Sequence, residues 1–336
     1  MLKILILICT SSFLFALNQY FTKIFNLYDI PDNIRKLHKV KTPLTGGLLI
    51  FLSFFLYILI DQIFFQSFFQ NLLVFNSNFF TFYIGFILFF VIGFFDDKYN
   101  LNANLKIILF ITLILILLIL DKDLHIRVIK LAFIEKDFSI GNYSFIWTLI
   151  CFLLFINAVN MFDGVNGQTG LYILFCLIYL NLSDSYLNQI SYLFLVPLIF
   201  FLYFNLKNKC FIGNSGTYSL SFVVAYLFIK SYNLEIFYTA DEIVLIMLLP
   251  GLDLIRLFAL RIMMKRNPFS PDREHLHHYL QNKFRKKYIF LLSNLFIVSL
   301  VILANYTNEF LYIIILKIFL YTLIILFLKK SKKINA

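Results

Sequence analysis

Long apolar runs separated by short polar segments dominate the pattern along this chain. Leu105 to Leu120 and Ile289 to Val301 are almost uninterrupted examples. A helix needs about 20 mostly apolar residues to cross the hydrocarbon core of a bilayer, and it satisfies its own backbone hydrogen bonds there. The pattern therefore predicts an all-α polytopic membrane protein with eleven transmembrane helices. The predicted spans are 2–23, 46–65, 78–95, 105–121, 145–161, 168–182, 189–206, 217–232, 241–262, 288–305 and 309–328.

The composition agrees with this prediction. Hydrophobic residues make up 61% of the 336 residues and charged residues only 14%, whereas a soluble domain is nearer half apolar and a quarter charged. A soluble protein with buried helices would need a polar face on most helices, and few of these segments have one. We expect one integral-membrane domain over residues 1–336.

The net charge of +11 is concentrated in particular loops. Lysine and arginine cluster in 24–45, in 263–287 and in the tail after residue 328. An eleven-span scheme puts all three on one side, which the positive-inside rule identifies as the cytoplasm. The N-terminus is then outside and the C-terminus is cytoplasmic. This distribution indicates membrane orientation and argues against a nucleic-acid partner.

The segment 122–144 is also basic, although this scheme places it outside. Its sequence, HIRVIKLAFIEKDFSIGNYS, is rich in strand-favouring residues and contains a Gly-Asn turn candidate. It therefore predicts a short external β-hairpin.

Two adjacent carboxylates, Asp96 and Asp97, end the third predicted span in GFFDDKYN. They repel one another at the edge of the hydrocarbon region unless a cation compensates them, and negative charge at a helix C-terminus opposes the helix dipole. Ionisable groups at membrane depth are functional-site hypotheses by default. Such a pair suits a divalent metal or proton transfer.

A second polar stretch, NAVNMFDGVNG, closes the fifth predicted span. Asparagine and aspartate provide oxygen ligands and hydrogen bonds, and the glycines allow close backbone approach to a ligand. An ordinary turn would not need two asparagines still inside the apolar run. The candidate residues are Asn157, Asn160, Asp163, Gly164 and Asn166.

Three further stretches complete the set. FIGNSGTYS at 211–219, around Asn214, is a candidate phosphate nest ahead of a helix. NPFSPDREHLHHYL at 267–280 favours phosphate recognition over zinc, because no cysteine accompanies its histidines. RKLHKVKTPLTGG at 35–47 adds basic residues and paired glycines at a span entrance. The candidates in the last two stretches are His38, Lys41, Arg273, His275, His277 and His278.

These five stretches, in this order from residue 35 to about 280, resemble the polyprenyl-phosphate N-acetylhexosamine-1-phosphate transferases of glycosyltransferase family 4. SPDREHLHHYL is similar to the initiators of O-antigen and teichoic acid, whereas the peptidoglycan translocase shows three consecutive histidines here. The resemblance implies a UDP-N-acetylhexosamine donor such as UDP-GlcNAc, undecaprenyl phosphate as the acceptor and UMP as a product. It also implies Mg²⁺, with Mn²⁺ as an alternative, and allows a homodimer.

The resemblance also implies residue roles. Asp96, Asp97 and Asp163 match catalytic aspartates, and Asn160, Asn214 and Asp97 match positions that contact the metal. Substrate binding is implied for the remaining candidates. These are His38, Lys41, Asn157, Gly164, Asn166, Arg273, His275, His277 and His278.

Two positions depart from the family pattern. Asn166 stands where bacterial members usually have aspartate, and Asn214 stands where the family has a magnesium-binding aspartate. An amide oxygen can coordinate a metal but brings no charge, so a catalytically inactive relative is one alternative. The other is a secondary transporter or lipid flippase, which would place polar residues near span midplanes. The expected location is the bacterial inner membrane, with the active site on the cytoplasmic face.

Overall fold

A computed structural model describes residues 2–31, 40–65, 78–182, 188–234, 239–268, 274–281 and 283–334. These described residues form thirteen α-helices and four short strands. The helices are α1 Leu2–Ala16, α2 Asn18–Phe25, α3 Gly46–Phe64, α4 Asn78–Tyr99, α5 Ala103–Leu120, α6 Ser144–Phe162, α7 Gln168–Asn181, α8 Asn188–Leu206, α9 Gly213–Asn233, α10 Ala240–Met263, α11 Leu276–Gln281, α12 Lys286–Thr307 and α13 Phe310–Ile334. The strands are β1 Tyr28–Asp29, β2 Thr42–Pro43, β3 Val128–Leu131 and β4 Ile134–Ser139.

Seven helices in the described part of the chain are long and apolar enough to cross a membrane. An eighth span is formed if α1 and α2, which meet at an angle of 54°, are counted together. Two shorter apolar helices are Gln168–Asn181 and Ile190–Leu206. The chain is thus an all-α polytopic membrane protein, as predicted, and the count of eleven spans stays a prediction.

Helix α9 accounts for the remaining predicted span, although it is less apolar than the others. It begins at Gly213 rather than near residue 217, and every residue from 215 to 231 is buried. The hydroxyls of Thr217, Ser219 and Ser221 donate to the carbonyls four residues earlier. A helix that contacts protein on all sides does not need lipid-facing residues, which explains its polar sequence.

The predicted hairpin is confirmed. Strands β3 and β4 pair antiparallel, with Val128 opposite Ser139 and Leu131 opposite Ile134. The turn lies at residues 132–133, so the Gly-Asn candidate was wrong as the hairpin turn. Gly141 and its neighbours form a short 3₁₀ helix after β4 instead. The external location of the hairpin stays a prediction.

The chain divides into two compact units, each assembled from two separate stretches. Unit 1 comprises Met1–Asp123 and Ile173–Leu227. Its core is largely aromatic: the Phe54 ring stacks on Phe194 at 4.8 Å between centroids, and Phe89 stacks on Phe222 at 5.1 Å. Such pairs contribute about 0.5–1.5 kcal/mol each beyond their buried area.

Unit 2 comprises Leu124–Tyr172 and Phe228–Ala336. Helix α10 packs there against α6, α12 and α13. Its buried side chains are mainly aliphatic, but Lys317 of α13 is also fully buried and donates to the carbonyl of Leu245 at 2.8 Å. A buried ammonium is tolerated when strong acceptors satisfy it.

Candidate active site

The acidic pair lies in unit 1, in the last turn of α4. The Asp97 carboxylate accepts the backbone N–H of Asn214 at 2.7 Å and that of Ser215 at 3.0 Å. These N–H groups belong to the first turn of α9, whose N-terminus carries partial positive charge. The predicted phosphate nest at 211–219 is therefore engaged by the protein's own carboxylate.

Two glycines permit this approach. A Cβ on Gly93 would lie 2.4 Å from the carbonyl oxygen of Asn214, so α4 passes α9 at a distance that only glycine allows. Gly213 has a φ of +70°, and a Cβ there would lie 2.6 Å from Oδ2 of Asp97. A side chain at Gly213 would be strained by the backbone conformation as well as by the contact.

Asp96 has different surroundings from its neighbour. It is only 1% exposed, and its carboxylate accepts the backbone N–H of Leu101 at 2.9 Å, the ammonium of Lys106 at 2.9 Å and the hydroxyl of Tyr218 at 2.7 Å. The compensating cation that an acidic pair requires is thus Lys106. The Asp96 carboxylate thus already binds three donors of the protein itself.

The paired glycines of the basic stretch also lie in unit 1. Gly46 and Gly47 donate backbone hydrogen bonds to the carbonyls of Phe211 and Ile212. A Cβ on Gly47 would lie 2.2 Å from the backbone nitrogen of Gly216, so the two chain segments touch. The paired glycines, the acidic pair and the 211–219 loop therefore form one cluster.

Of the two basic candidates in this stretch, the structure describes only one. The Lys41 side chain is exposed, and its ammonium lies 3.7 Å from the centre of the Tyr28 ring. His38 lies outside the described residues. Substrate binding by both stays a prediction.

The asparagine-rich stretch lies in unit 2, where α6 ends at Phe162. Asp163 follows directly and is exposed, whereas Asn157, Asn160 and Asn166 are half-buried. The amide of Asn157 donates to the carbonyl of Leu153, one turn earlier in the helix, at 2.7 Å. Asp163 is thus a carboxylate at a helix end that ligands can reach.

Gly164 brings this stretch together with the histidine loop, which we define as residues 274–281. A Cβ on Gly164 would lie 2.1 Å from both Cε1 and Nε2 of His277. The imidazole therefore packs directly on the glycine backbone. Close approach was expected at this glycine for a ligand, and the structure shows a protein side chain in that place.

The three histidines form a cluster of rings in mutual contact. The rings of His275 and His277 are nearly parallel, with centroids 5.2 Å apart, and His278 lies 4.3 Å from His277. Burial lowers the pKa of His277 well below its ordinary value, and the positive forms of His278 and His275 lower it further. His277 is therefore neutral at physiological pH. Arg273 lies outside the described residues.

Asp253 organises the start of this loop, although the sequence motifs did not predict it. Its carboxylate lies 2.6 Å from the Arg256 guanidinium and 3.3 Å from Nδ1 of His275. It also accepts the hydroxyl of Tyr321 at 2.8 Å and the backbone N–H of Leu276 at 3.3 Å. A carboxylate in the middle of predicted span 241–262 was the available signal, since charge inside a membrane helix is costly.

The carboxylates differ in their capacity for a metal ion. No group of three or more His, Cys, Asp or Glu side chains among the described residues could hold one by itself. Mg²⁺ is commonly held by one or two carboxylates together with water and substrate phosphates. Asp97 fits that mode, because each of its oxygens receives one backbone N–H and keeps a free lone pair. Asp96 and Asp253 fit it poorly, because protein donors surround them.

Comparisons with known proteins agree with the motif resemblance. The family model described as glycosyl transferase family 4 matches residues 79–232. A probable undecaprenyl-phosphate N-acetylglucosaminyl 1-phosphate transferase of Bacillus subtilis is 24% identical over 90% of this chain and 82% of its own length. Undecaprenyl-phosphate α-N-acetylglucosaminyl 1-phosphate transferases of Thermotoga maritima and Escherichia coli K12 are 28% and 23% identical, over 82% and 90% of this chain and 80% and 83% of their own lengths.

The helical membrane fold and the match to the family model make the chain similar, as a class, to membrane-embedded glycosyl transferases of family 4. Within that class, it is similar to the undecaprenyl-phosphate N-acetylglucosaminyl 1-phosphate transferases.

Proposed function

We propose that this protein transfers N-acetylglucosamine 1-phosphate from UDP-GlcNAc to undecaprenyl phosphate and so initiates a cell-surface polysaccharide. The relatives' names support undecaprenyl phosphate as the acceptor and N-acetylglucosaminyl 1-phosphate as the transferred group. The observation that carries the proposal is the Asp97 carboxylate, which is fixed on the N-terminus of α9 with lone pairs to spare. An enzyme that joins two anionic phosphates needs neutralising positive charge at a fixed position, and a fixed carboxylate can hold a cation there.

The proposed reaction is a displacement at phosphorus. A phosphate oxygen of the lipid attacks the sugar-linked phosphorus of the nucleotide sugar and forms a new P–O bond. The bond from that phosphorus to the bridging oxygen breaks, and the bridging oxygen leaves with the electron pair as part of UMP. Two anions must approach each other, so catalysis consists mainly of positioning and charge neutralisation.

Each cluster has a role in this proposal. Asp97 removes a remaining proton from the lipid phosphate or holds the cation, and Asp96 fixes the end of α4 through Lys106 and Tyr218. Asp163 is the third acid, and the histidine loop with Arg273 recognises the sugar phosphate. Asp97 and Asn214 are the proposed ligands for Mg²⁺ in unit 1, which would supply positive charge for the diphosphate when bound, and metal contact by Asn160 stays a prediction.

The proposed location follows from the substrates. One is soluble and the other has a lipid tail, so an active site at the cytoplasmic edge of the inner membrane can meet both. In the eleven-span arrangement, reporter fusions at Asn100 and Cys210 report cytoplasm and a fusion at Lys130 reports periplasm. A cytoplasmic signal at Lys130 would contradict this arrangement.

The direct test uses membranes that contain the protein, radiolabelled UDP-GlcNAc and undecaprenyl phosphate. The expected result is a tunicamycin-sensitive labelled lipid together with one equivalent of UMP. Transport of undecaprenyl phosphate without UMP release would support the flippase alternative. A well-folded protein that yields neither product nor transport at any Mg²⁺ concentration would support the inactive alternative.

A further inference from the structure

The histidine loop is connected to the last helix of the chain through one tyrosine. The Tyr321 hydroxyl of α13 donates to Oδ1 of Asp253 at 2.8 Å and accepts from Nε of Arg256 at 2.8 Å. Tyr321 is only 3% exposed. A buried hydroxyl that is satisfied in both directions is a fixed part of a network.

Arg256 extends this network to the loop backbone. Its Nη2 donates to Asp253 Oδ1 at 2.6 Å and to the carbonyl of Glu274 at 2.5 Å. The guanidinium thus bonds a carboxylate, a phenol oxygen and a loop carbonyl at once. A planar group with several fixed donors can do this, whereas a lysine ammonium has no such fork.

The network ends on the histidines. Asp253 receives the N–H of Leu276 on both oxygens at 3.3 Å and faces Nδ1 of His275 at 3.3 Å. The His275 ring in turn stacks on His277, which packs on Gly164. Rotation of the Asp253 carboxylate would therefore move the first residues of the loop and the ring that precedes His277.

We infer that Tyr321 and Arg256 are positioning residues, which fix Asp253 so that the histidine loop is held ready for the nucleotide sugar. Neither residue needs to touch substrate. The loop's role in substrate binding rests on the proposed function, but the positioning itself does not. Removal of the hydroxyl should loosen the loop while the aromatic packing of α13 remains.

The experiment compares Tyr321→Phe with Tyr312→Phe in the full-length protein. Tyr312 lies on the same helix and is 67% exposed, so its hydroxyl is a matched control. The first measurement is the rate of histidine carbethoxylation by diethyl pyrocarbonate, read by peptide mass spectrometry. We expect His275 to react about tenfold faster in Tyr321→Phe, with the rate at His125 unchanged. His125 serves as the internal reference because it faces Phe145, outside the loop.

The second measurement is steady-state kinetics. We expect the KM for UDP-GlcNAc to rise about tenfold, equivalent to about 1.4 kcal/mol, with the KM for undecaprenyl phosphate and the Tm close to wild type. Arg256→Lys should show the same pattern, and it carries both measurements if Tyr321→Phe does not fold.

Two outcomes would overturn the inference. One is an unchanged His275 rate in both variants. The other is a rise at His125 equal to that at His275 together with a fall in Tm, since that would show general destabilisation. An inactive wild type whose His275 still becomes reactive in Tyr321→Phe would refute the proposed function and support the positioning.

Discussion

Each unit holds one buried aspartate of the candidate site with a basic side chain, a tyrosine hydroxyl and a backbone N–H. In unit 1, Asp96 is bonded by a lysine, a tyrosine hydroxyl and a backbone N–H. In unit 2, Asp253 is bonded by an arginine, a tyrosine hydroxyl and a backbone N–H. A carboxylate out of water requires this compensation, because an unpaired charge there is very costly.

The units differ in what each anchored aspartate supports. Asp96 stands beside a second carboxylate, Asp97, which accepts the backbone N–H groups of Asn214 and Ser215. Asp253 stands beside a loop of three histidines, of which His277 is neutral at physiological pH. The same anchoring chemistry thus presents an anionic ligand group in unit 1 and imidazole donors in unit 2.

The largest expected effect separates the two members of the acidic pair. Asp97→Asn and Asp96→Asn should each reduce turnover at least about 100-fold, or about 2.7 kcal/mol. Asp97→Asn removes the charge that we propose faces substrate, and it should lower the Tm moderately, because the amide nitrogen cannot accept one of the two backbone N–H groups that the carboxylate accepts. Asp96→Asn should lower the Tm further, because Lys106 loses its charged partner. Turnover is measured by release of UMP.

Asp123→Asn is the matched control, since Asp123 is an exposed carboxylate of unit 1. It should retain wild-type turnover and Tm. Near-wild-type turnover in both variants of the pair would remove Asp96 and Asp97 from the mechanism.

A smaller effect is expected in unit 2 from Gly164→Ala. The added methyl would lie 2.1 Å from the His277 ring, so the loop must shift. Overpacking typically costs about 1–3 kcal/mol, and we expect turnover to fall about thirtyfold. Gly251→Ala is the control, because a Cβ there meets nothing within 4 Å. Equal turnover in the two variants would show that the contact between Gly164 and His277 is unimportant.

Sequence periodicity could predict the helices because lipid exposure demands apolar residues over a fixed length. The sequence shows that Asp96 and Asp97 are adjacent, but it does not predict that their surroundings differ. Successive residues on an α-helix point about 100° apart, so the two carboxylates enter different surroundings. Which one meets Lys106 and which meets the N-terminus of α9 depends on tertiary packing.

The same limit explains why Asp253, Arg256 and Tyr321 were missed as a group. Tyr321 is separated from Asp253 by 68 residues, and no motif in the sequence links the two positions. Only packing of α13 against α10 brings them together. By contrast, the histidine loop was predicted because its unusual residues are adjacent in sequence.

The neutral state of His277 gives a pH-dependent prediction for unit 2. Its pKa is lowered in the folded protein, so below about pH 6.5 the unfolded chain binds a proton that the native state does not. The free energy of unfolding is therefore not reduced by this group above that pH, and it falls as the pH decreases below it. We expect the Tm to decline between pH 6.5 and 5, and to decline less in His277→Phe. His125→Phe is the control and should decline as the wild type does. Parallel declines in all three proteins would contradict the prediction.

The smallest effect concerns Asn214 in unit 1, where the motif resemblance implies a carboxylate. Fewer anionic ligands generally bind hard cations more weakly, so Asn214→Asp should lower the Mg²⁺ concentration for half-maximal activity about threefold. The added charge lies in the first turn of α9, where the dipole favours it, but it also lies next to Asp97. Without metal the two carboxylates repel one another, and Mg²⁺ should therefore raise the Tm of Asn214→Asp more than that of the wild type.

This thermal shift is a readout that does not depend on activity. Asn208→Asp adds the same charge at an exposed loop position and should leave both Mg²⁺ responses unchanged. If the wild-type protein has no transferase activity and Asn214→Asp has it, the result would support the alternative of a catalytically inactive relative. Loss of both activity and the Mg²⁺-dependent rise in Tm in Asn214→Asp would show that position 214 does not bind the metal, because an added carboxylate can only strengthen a site that it belongs to.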